Sequence, residues 1–500
     1  MQTLSQALER LDALQRRQAA YEHAMGVLYY DGATAAPAGS AANRGETMAI
    51  LSEASYQLGT SPDSIELIDF LYAHNDGLTQ KQKRVVELMR RGLQELRSIP
   101  QNEYAAAAKL MAESTAAWHE AKPKSDFSIF APYLEKVLET KKRFARYVKP
   151  EMDPYDYYLD SFEPGLTREK CDAFFAALRA RVVPLLKRVQ AAPQVDASFL
   201  SGDFPLEKQR RLSDELMEIL RIDRNRCAIG ETEHPFTTNF TKQDVRITTH
   251  YYPDNAVSSM YSVIHEGGHA LYELHTSDED LYNGLGGGAS MGVHESQSRF
   301  YENLIGRSRG FVAFLAPRLR ALFPQQLGGV DDEALYRAVN RCEASLVRTE
   351  ADELTYSLHI MVRYELEKKL FAGELSVAEI PAEWNRLYRE YLGVEPSCDR
   401  EGCLQDSHWS DGSFGYFPSY ALGSAYGAQL LAKMRETVDV NACEKTGDLQ
   451  PVNDWLCEHI WQYGRLYKPG ELLERVFGAP FDPKYYLDYL EAKFTEIYSL

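Results

Sequence analysis

The stretch SSMYSVIHEGGHALYELH, residues 258–275, constrains this chain more than any other. It places two histidines four residues apart, with a glutamate directly after the first and two glycines between. Residues four apart project from one face of a helix, so the imidazoles of His265 and His269 can bind one metal ion. Glu266 then lies where a carboxylate can accept a proton from metal-bound water. The stretch is a candidate catalytic metal site.

The competing interpretation is that two histidines on a helix match a short pattern by chance. Two features oppose it. Six of the twelve histidines fall between residues 234 and 294, about an eighth of the chain. Gly267 and Gly268 each cost a helix about 1 kcal/mol relative to alanine. A purely structural helix has little reason to accept both, whereas close approach of a neighbouring element or a substrate would explain them. We therefore predict a metal site.

Two residues compete as the third metal ligand. His275 stands where a metzincin (HExxHxxGxxH) has its third histidine, but Tyr272 replaces the glycine that turns the chain back to the metal. A straight helix would carry His275 about 9 Å past His269. Glu295 begins a second predicted helix after the loop NGLGGGASMG, and its hard oxygen suits zinc beside two imidazoles. We favour Glu295.

Neighbouring polar residues are predicted to have lesser roles. His294 points about 100° away from Glu295 on the same helix, so it is expected to support a ligand or to cap the helix. Glu273, Glu279 and Glu302 are expected on solvated helix faces.

Helical periodicity dominates the rest of the chain. Apolar residues recur at three- and four-residue steps through LSQALERLDALQRRQAAYEHAMGVLYY and in later stretches up to the C-terminus. The stretch 237–255 instead alternates and is rich in Thr, Val, Ile and Tyr, which predicts a pair of strands leading into the 258–275 helix. The turn-rich segment 150–167 divides an N-terminal helical part, 1–150, from a catalytic part, 151–500. The predicted fold is mainly α, with one small sheet beside the HExxH helix.

Charge and cysteine content narrow the class of protein. The net charge of −18 argues against a nucleic-acid or anionic-membrane partner, because phosphate binding relies on clustered Lys and Arg. Seven cysteines without a CxxC pair argue against a disulfide framework or a cysteine zinc site. The N-terminus predicts an amphipathic helix rather than a signal core, and no run of some 18 apolar residues occurs. We expect a cytoplasmic protein.

An ordered set of motifs links the chain to a known family. They are HPF (234–236), DVRIT (244–248), HEGGH (265–269), HESQ (294–297), VRTEAD (347–352), GCLQDSHW (402–409) and GYFPSYALG (415–423). In this order they resemble the M32 family of metallocarboxypeptidases, the thermostable carboxypeptidase type of HExxH gluzincin. One such motif is weak evidence, whereas the ordered set is very specific.

The resemblance implies one peptidase domain over residues 1–500, nearly all helical and saddle-shaped, with the metal at the bottom of a deep central groove. It implies release of single residues from free peptide C-termini, commonly by homodimers, with zinc or cobalt as the metal. His265, His269 and Glu295 match the ligand positions. Glu266 matches the catalytic carboxylate, which takes a proton from water and delivers it to the leaving amine.

Peptide hydrolysis at a free C-terminus needs two further groups. The tetrahedral oxyanion needs a donor besides the metal, for which His408 and Tyr420 are the candidates and Tyr420 is preferred. The substrate α-carboxylate needs a cationic clamp, and a guanidinium is the natural one. Arg348 is favoured over Arg246.

The arginine that does not bind substrate is expected to form an ion pair, with Asp352 or Asp244. His234, Arg246 and Gln405 are predicted to close the end of the groove. Asp406 is predicted either to orient a ligand imidazole or to cap a helix.

Two other kinds of protein remain as alternatives. An HExxH oligoendopeptidase or dipeptidyl peptidase on a related helical fold would not require a free C-terminus. A binding protein with a structural metal would need four protein ligands, usually including cysteine, yet no cysteine lies between residues 227 and 342. The prediction is a metallocarboxypeptidase.

Overall fold

The computed structural model describes residues 3–500, which form 21 α-helices and one three-stranded sheet. The first nine helices are α1 (Leu4–Thr34), α2 (Ala41–Thr60), α3 (Pro62–Ala73), α4 (Gln80–Ser98), α5 (Gln101–Lys124), α6 (Phe127–Val148), α7 (Pro154–Phe162), α8 (Arg168–Ala191) and α9 (Leu206–Ile219). The strands are β1 (Cys227–Glu231), β2 (Thr237–Thr241) and β3 (Asp244–Thr249). The remaining helices are α10 (Ala256–Leu274), α11 (Met291–Arg299), α12 (Arg309–Leu322), α13 (Pro324–Leu327), α14 (Asp332–Val339), α15 (Glu353–Ala372), α16 (Ile380–Tyr391), α17 (Pro418–Met434), α18 (Val440–Thr446), α19 (Gln450–His459), α20 (Pro469–Phe477) and α21 (Lys484–Tyr498). The prediction of a mainly α fold with one small sheet is confirmed.

The sheet lies directly before α10 in the chain and packs against it. Its order is β1-β3-β2, with β1 parallel and β2 antiparallel to the central strand. The pair predicted within 237–255 corresponds to β2 and β3. Strand β1 was not predicted, because the short segment CAIGE has neither clear alternation nor many β-branched residues. Val245 and Ile247 of β3 are fully buried, so the central strand anchors the sheet in the core.

Helix α10 approaches two other elements closely at its glycines. A Cβ on Gly268 would lie 2.5 Å from the backbone oxygen of Gln297 and 2.8 Å from the Cα of Ser298 in α11. A Cβ on Gly267 would meet a flexible side-chain end, the Cδ1 of Leu220, at 2.6 Å. The close approach predicted from the two glycines is therefore confirmed.

Helix α17 packs on the other side of α11 with similar closeness. A Cβ on Gly423 would lie 2.6 Å from the Cγ of Glu295. Helices α10, α11 and α17 therefore meet around the Glu295 side chain, which is 6% exposed.

The N-terminal helices have a small core of their own. Its buried members come mainly from α1, α3 and α4, namely Ala7, Leu11, Leu14, Leu67, Leu71, Leu78, Val85, Val86 and Leu285. Helix α2 contributes no fully buried residue. The main core contains residues from Trp118 to Tyr498. The subdivision at residues 150–167 stays a prediction.

Two sequence expectations concern cysteines and membrane spans. All seven cysteines lie within the described residues and are free. Between residues 3 and 500, no helix combines the length and apolar character needed to cross a bilayer.

A buried glutamate fixes the segment between α16 and α17. Glu367 of α15 accepts hydrogen bonds from the Nε1 of Trp409 at 2.7 Å, the Oη of Tyr155 at 2.9 Å and the backbone N of Gly415 at 2.9 Å. Burial raises the pKa of Glu367 to about 7. The segment that contains His408 is therefore tied to α15 through one carboxyl group.

We expect the Gly268→Ala variant to bind metal at least about 10-fold more weakly and to lose about 1–3 kcal/mol of unfolding free energy, because its methyl group overlaps backbone atoms of α11. Zinc titration and denaturant unfolding measure the two effects. Gly267→Ala is the matched control. Its methyl group meets only the movable side-chain ends of Leu220 and Ile222, so its zinc affinity should stay within a few-fold of wild type. Equal zinc affinity in Gly268→Ala and wild type would contradict the expectation that the close packing of α10 against α11 supports metal binding.

Glu367 should make stability pH-dependent. The carboxyl ionises near 4.5 in the unfolded chain and near 7 in the folded protein. The folded state therefore binds more protons in this window, and its stability falls as pH rises through it. The interval corresponds to about 3 kcal/mol. Denaturant unfolding at pH 5 and pH 8 measures the effect. The unfolding free energy should fall by about 2–3 kcal/mol less in Glu367→Gln than in wild type between these two pH values. An identical pH dependence in both proteins would contradict the expectation.

Candidate metal centre

Two imidazoles and one carboxylate converge between α10 and α11. The ligand atoms of His265, His269 and Glu295 lie within 4.8 Å of one another. The Oε2 of Glu295 is 3.7 Å from the Nε2 of His265 and 3.4 Å from the Nε2 of His269. A tetrahedral zinc ion with bonds of about 2.0–2.1 Å separates its ligand atoms by about 3.3 Å. The donor set and its spacing therefore fit a zinc-like ion.

His275, the alternative third ligand, points elsewhere. It ends α10 as the C-cap residue. Its Nδ1 lies 2.8 Å from the backbone oxygen of Leu271, and its ring packs against Trp461. The preference for Glu295 over the metzincin arrangement agrees with this geometry.

Each ligand imidazole is oriented through its second ring nitrogen. The Nε2 atoms point to the position of the ion and would bind it, which places the ring protons on the Nδ1 atoms. The Nδ1 of His265 donates to the Oε2 of Glu302 at 2.8 Å. The Nδ1 of His269 lies 2.6 Å from the Nδ1 of His294, whose Nε2 donates to the Oε1 of Glu273 at 2.6 Å. Such partners fix the tautomer and the ring direction of metal ligands.

These contacts correct two predictions and agree with two others. Glu273 and Glu302 do not lie on solvated faces: Glu273 is 6% exposed, and the Glu302 side chain is 13% exposed. Hydrogen bonds from imidazoles compensate these two carboxyl groups for the loss of contact with water. Glu279 does lie at the surface, where it pairs with Lys81. The contact of His294 with a ligand imidazole agrees with its predicted supporting role.

Arg299 joins the two carboxylates of the site. Its Nε donates to the Oε1 of Glu295 at 2.8 Å, and its Nη1 donates to the Oε2 of Glu302 at 3.1 Å. Its guanidinium lies 4.1 Å from the ring centre of Tyr356. Arg299 was not predicted, although its spacing of four from Glu295 was a usable signal. The helix continues as a π-helix over Phe300–Ile305, an arrangement that is frequent at functional sites.

The protonation states of Glu295 and His269 suit metal binding. Burial opposes ionisation of Glu295, but Arg299 and His265 outweigh it and hold its pKa well below the usual range. Burial lowers the pKa of His269 to about 3. An ionised carboxylate and a neutral imidazole are the forms that bind a metal ion.

Glu266 lies beside the ligands in a buried position, with 7% of its surface exposed. The Oγ1 of Thr237 in β2 donates to its Oε2 at 2.6 Å. Burial raises the pKa of Glu266, a direction that suits a group exchanging protons near neutral pH. Thr237 was not predicted, because nothing local in the sequence relates residue 237 to residue 266.

The two predicted oxyanion donors lie together. The Nε2 of His408 is 3.3 Å from the Oη of Tyr420 in the first turn of α17. Gly423, which contacts Glu295, is one turn further along the same face of α17. Burial lowers the pKa of His408 to about 4, so its imidazole is neutral at pH 7.

Both predicted clamp arginines have carboxylate partners. The Nε and Nη2 of Arg246 donate to the two oxygens of Asp244 at 2.9 and 3.0 Å, which confirms that predicted pair. The Nε and Nη2 of Arg348 donate to the Oδ1 of Asp406 at 3.0 and 2.8 Å, and its Nη1 donates to the Oη of Tyr356 at 3.1 Å. Arg348 is 7% exposed.

The contacts of Asp406 and Asp352 differ from the predicted ones. Arg363 donates to the Oδ2 of Asp406 at 2.7 Å, so Asp406 binds two arginines and neither orients a ligand imidazole nor caps a helix. Asp352 does not pair with Arg348 or support a metal ligand. Its Oδ1 accepts the N–H groups of Leu354 and Thr355 and caps α15. These two aspartates could not be distinguished from the sequence, because their partners depend on long-range packing.

The remaining two predicted substrate residues lie apart. Gln405 belongs to the arginine network, where its Oε1 accepts the backbone N–H of Arg348 at 2.9 Å and the Nη2 of Arg363 at 2.6 Å. His234 is exposed in the loop between β1 and β2.

Comparison with known proteins decides the family. A sequence model of the family described as "Carboxypeptidase Taq (M32) metallopeptidase" matches residues 10–494. This chain belongs to the M32 family. It is 41% identical over 489 residues to Carboxypeptidase 1 of Bacillus subtilis, with 97% of this chain and 98% of that protein covered. It is 37% identical over 498 residues to Thermostable carboxypeptidase 1 of Thermus thermophilus, with 97% of both covered.

Solved structures agree with the assignment. The crystal structure of the M32 carboxypeptidase from Deinococcus radiodurans superposes with a TM-score of 0.96 at 37% identity, covering 99% of this chain and 100% of that one. The chain is therefore a metallocarboxypeptidase, a peptide hydrolase. The predicted family and enzyme class are confirmed, and the comparisons do not favour the oligoendopeptidase or binding-protein alternatives.

We expect Glu302→Gln to weaken zinc binding about 10- to 100-fold in this M32 carboxypeptidase, because the Nδ1 of His265 loses its carboxylate acceptor. Competition with a zinc-binding dye measures the affinity. His275→Ala is the control, and its affinity should remain within about 3-fold of wild type. Loss of stoichiometric zinc from His275→Ala would instead revive His275 as a ligand.

Proposed function

We propose that this M32 carboxypeptidase releases single residues from the free C-termini of peptides, with Glu266 as the general base. The observation that carries the proposal is the convergence of two imidazoles and one carboxylate beside a buried glutamate that is not itself a ligand. Zinc is the proposed ion and cobalt a possible substitute, because both accept nitrogen and oxygen ligands. A divalent ion held by these residues would polarise the scissile carbonyl and acidify a water molecule.

Glu266 accepts a proton from the attacking water at its carboxylate and then delivers it to the nitrogen of the leaving amine. Tyr420 donates its hydroxyl hydrogen to the developing oxyanion. This role is supported by its place on the face of α17 that meets Glu295. The Nε2 of His408 lies 3.3 Å from the Tyr420 hydroxyl and orients it. A single such donor typically contributes about 3 kcal/mol to transition-state stabilisation.

Arg348 is the proposed clamp for the substrate α-carboxylate. Its guanidinium lies 4.9 Å from the ring centre of Tyr420, close to the proposed oxyanion donor. Three of its N–H groups donate to Asp406 and Tyr356, and a guanidinium has five. Two remain to bind a carboxylate. Arg246 lies between the rings of Tyr30 and Phe240 and is better suited to a structural role.

Peptides are the proposed substrates. The homodimer implied by the resemblance and the cytoplasmic location expected from the cysteines and the N-terminus remain proposals. A net charge of −18 opposes approach of anionic substrates in general. A basic clamp inside the site would therefore be needed to hold the terminal carboxylate.

Mass spectrometry of one peptide in two forms, free acid and C-terminal amide, tests the proposal. With added zinc, the free acid should lose one C-terminal residue at a time while the amide stays intact, because only the free acid has the carboxylate. Glu266→Gln should bind zinc as wild type does and process the free acid at least about 100-fold more slowly. Internal cleavage of both forms would point to an endopeptidase, and full activity in Glu266→Gln would remove this residue from the mechanism.

A further inference from the structure

Strand β2 faces the candidate metal centre with alternate side chains. Thr237 and Asn239 are two residues apart, so they project from the same face of the strand. The Oγ1 of Thr237 donates to the Oε2 of Glu266 at 2.6 Å, and the Nδ2 of Asn239 donates to the Oε2 of Glu273 at 2.6 Å. One face of a five-residue strand therefore contacts two buried carboxylates of α10.

The opposite face of β2 is packed against α1. Phe240 contacts His23 with ring centres 5.2 Å apart, and Phe236, directly before the strand, contacts Tyr29 at 5.7 Å. A Cβ on Gly26 of α1 would lie 2.8 Å from the Phe240 ring. The strand is thus held firmly between α1 and α10.

Backbone pairing fixes the third side of the strand. Thr237 pairs with Ile247 of the buried central strand, and the N–H of Phe236 donates to the Oγ1 of Thr248 at 2.8 Å. Threonine is β-branched, so its χ1 angle is restricted as well. The hydroxyl of Thr237 consequently has a fixed position relative to α10, as a group on a rigid element should.

We propose that Thr237 is a positioning residue for Glu266, an inference that rests on the proposed function. Its hydroxyl occupies Oε2 and holds the carboxylate plane, which leaves Oε1 directed to the water that loses its proton. Without the hydroxyl, the buried carboxylate loses a charge-assisted hydrogen bond and can rotate away from the reacting atoms. A misplacement of about 1 Å at a reacting group can cost about 100-fold in rate.

A purely structural role is the alternative, because the same Oγ1 lies 3.1 Å from the backbone oxygen of Glu266. A structural hydroxyl would support folding and zinc affinity. A positioning hydroxyl instead supports turnover by the folded, metal-loaded enzyme. The two roles predict different readouts.

The test uses Thr237→Val, which keeps the shape and removes the donor, and Thr237→Ser, which keeps the donor. On a free-acid peptide with saturating zinc, Thr237→Val should lower kcat about 10- to 100-fold, while KM and zinc affinity stay within about 3-fold. Thr237→Ser should restore kcat to within about 3-fold of wild type. Thr238→Val, the neighbouring position on the other face, is the matched control and should retain wild-type kcat.

Wild-type kcat in Thr237→Val would overturn the inference, and so would a Thr237→Ser variant as slow as Thr237→Val. A loss confined to zinc affinity or to stability would overturn it in favour of the structural role. The proposed function is tested separately by Glu266→Gln. An inactive Glu266→Gln with a fully active Thr237→Val rejects only the positioning role, whereas an active Glu266→Gln rejects the general base itself.

Discussion

The backbone contact between α10 and α11 is the constraint on which the rest of the site depends. Without a side chain at residue 268, the two helices approach until backbone atoms touch at Gln297 and Ser298. This proximity brings a carboxylate from one helix within 3.4 Å of an imidazole from the other. Two adjacent turns of α10 supply the histidines, and α11 closes the site from the side.

The buried charges around this contact compensate one another. Glu302 contacts Arg299 at 3.1 Å and Arg307 at 3.4 Å, and Glu295 contacts Arg299 at 2.8 Å. Removing one partner from a buried ion pair is strongly destabilising, because it leaves an uncompensated charge. Burial alone would favour the protonated form of these two carboxyl groups. The arginines keep both of them ionised. The result is a site that is preorganised for a cation.

The part of the site that could be predicted is the part that local spacing encodes. His265, Glu266 and His269 follow from helical geometry, and the two glycines indicated a close neighbour. Thr237, the Arg348–Asp406 pair and the buried acceptors Glu273 and Glu302 could not be predicted in the same way. Their contacts join residues 21 to 58 positions apart, and a glutamate on a helix has the same sequence appearance whether its partner is water or an imidazole.

The separate small core of α1, α3 and α4 has a consequence for how the enzyme opens. Regions with few buried apolar residues exchange their amide hydrogens and unfold locally at lower free energy than the main core. The core of α1, α3 and α4 is small and separate from the main core, and helix α2 has no fully buried residue, so the α1–α4 region belongs at the low end of that range. Since Phe240 of β2 rests on α1, partial melting of the N-terminal helices would uncover one side of the strand that contacts Glu266. Mild denaturant would then abolish the activity of the enzyme while most of its helix content remains.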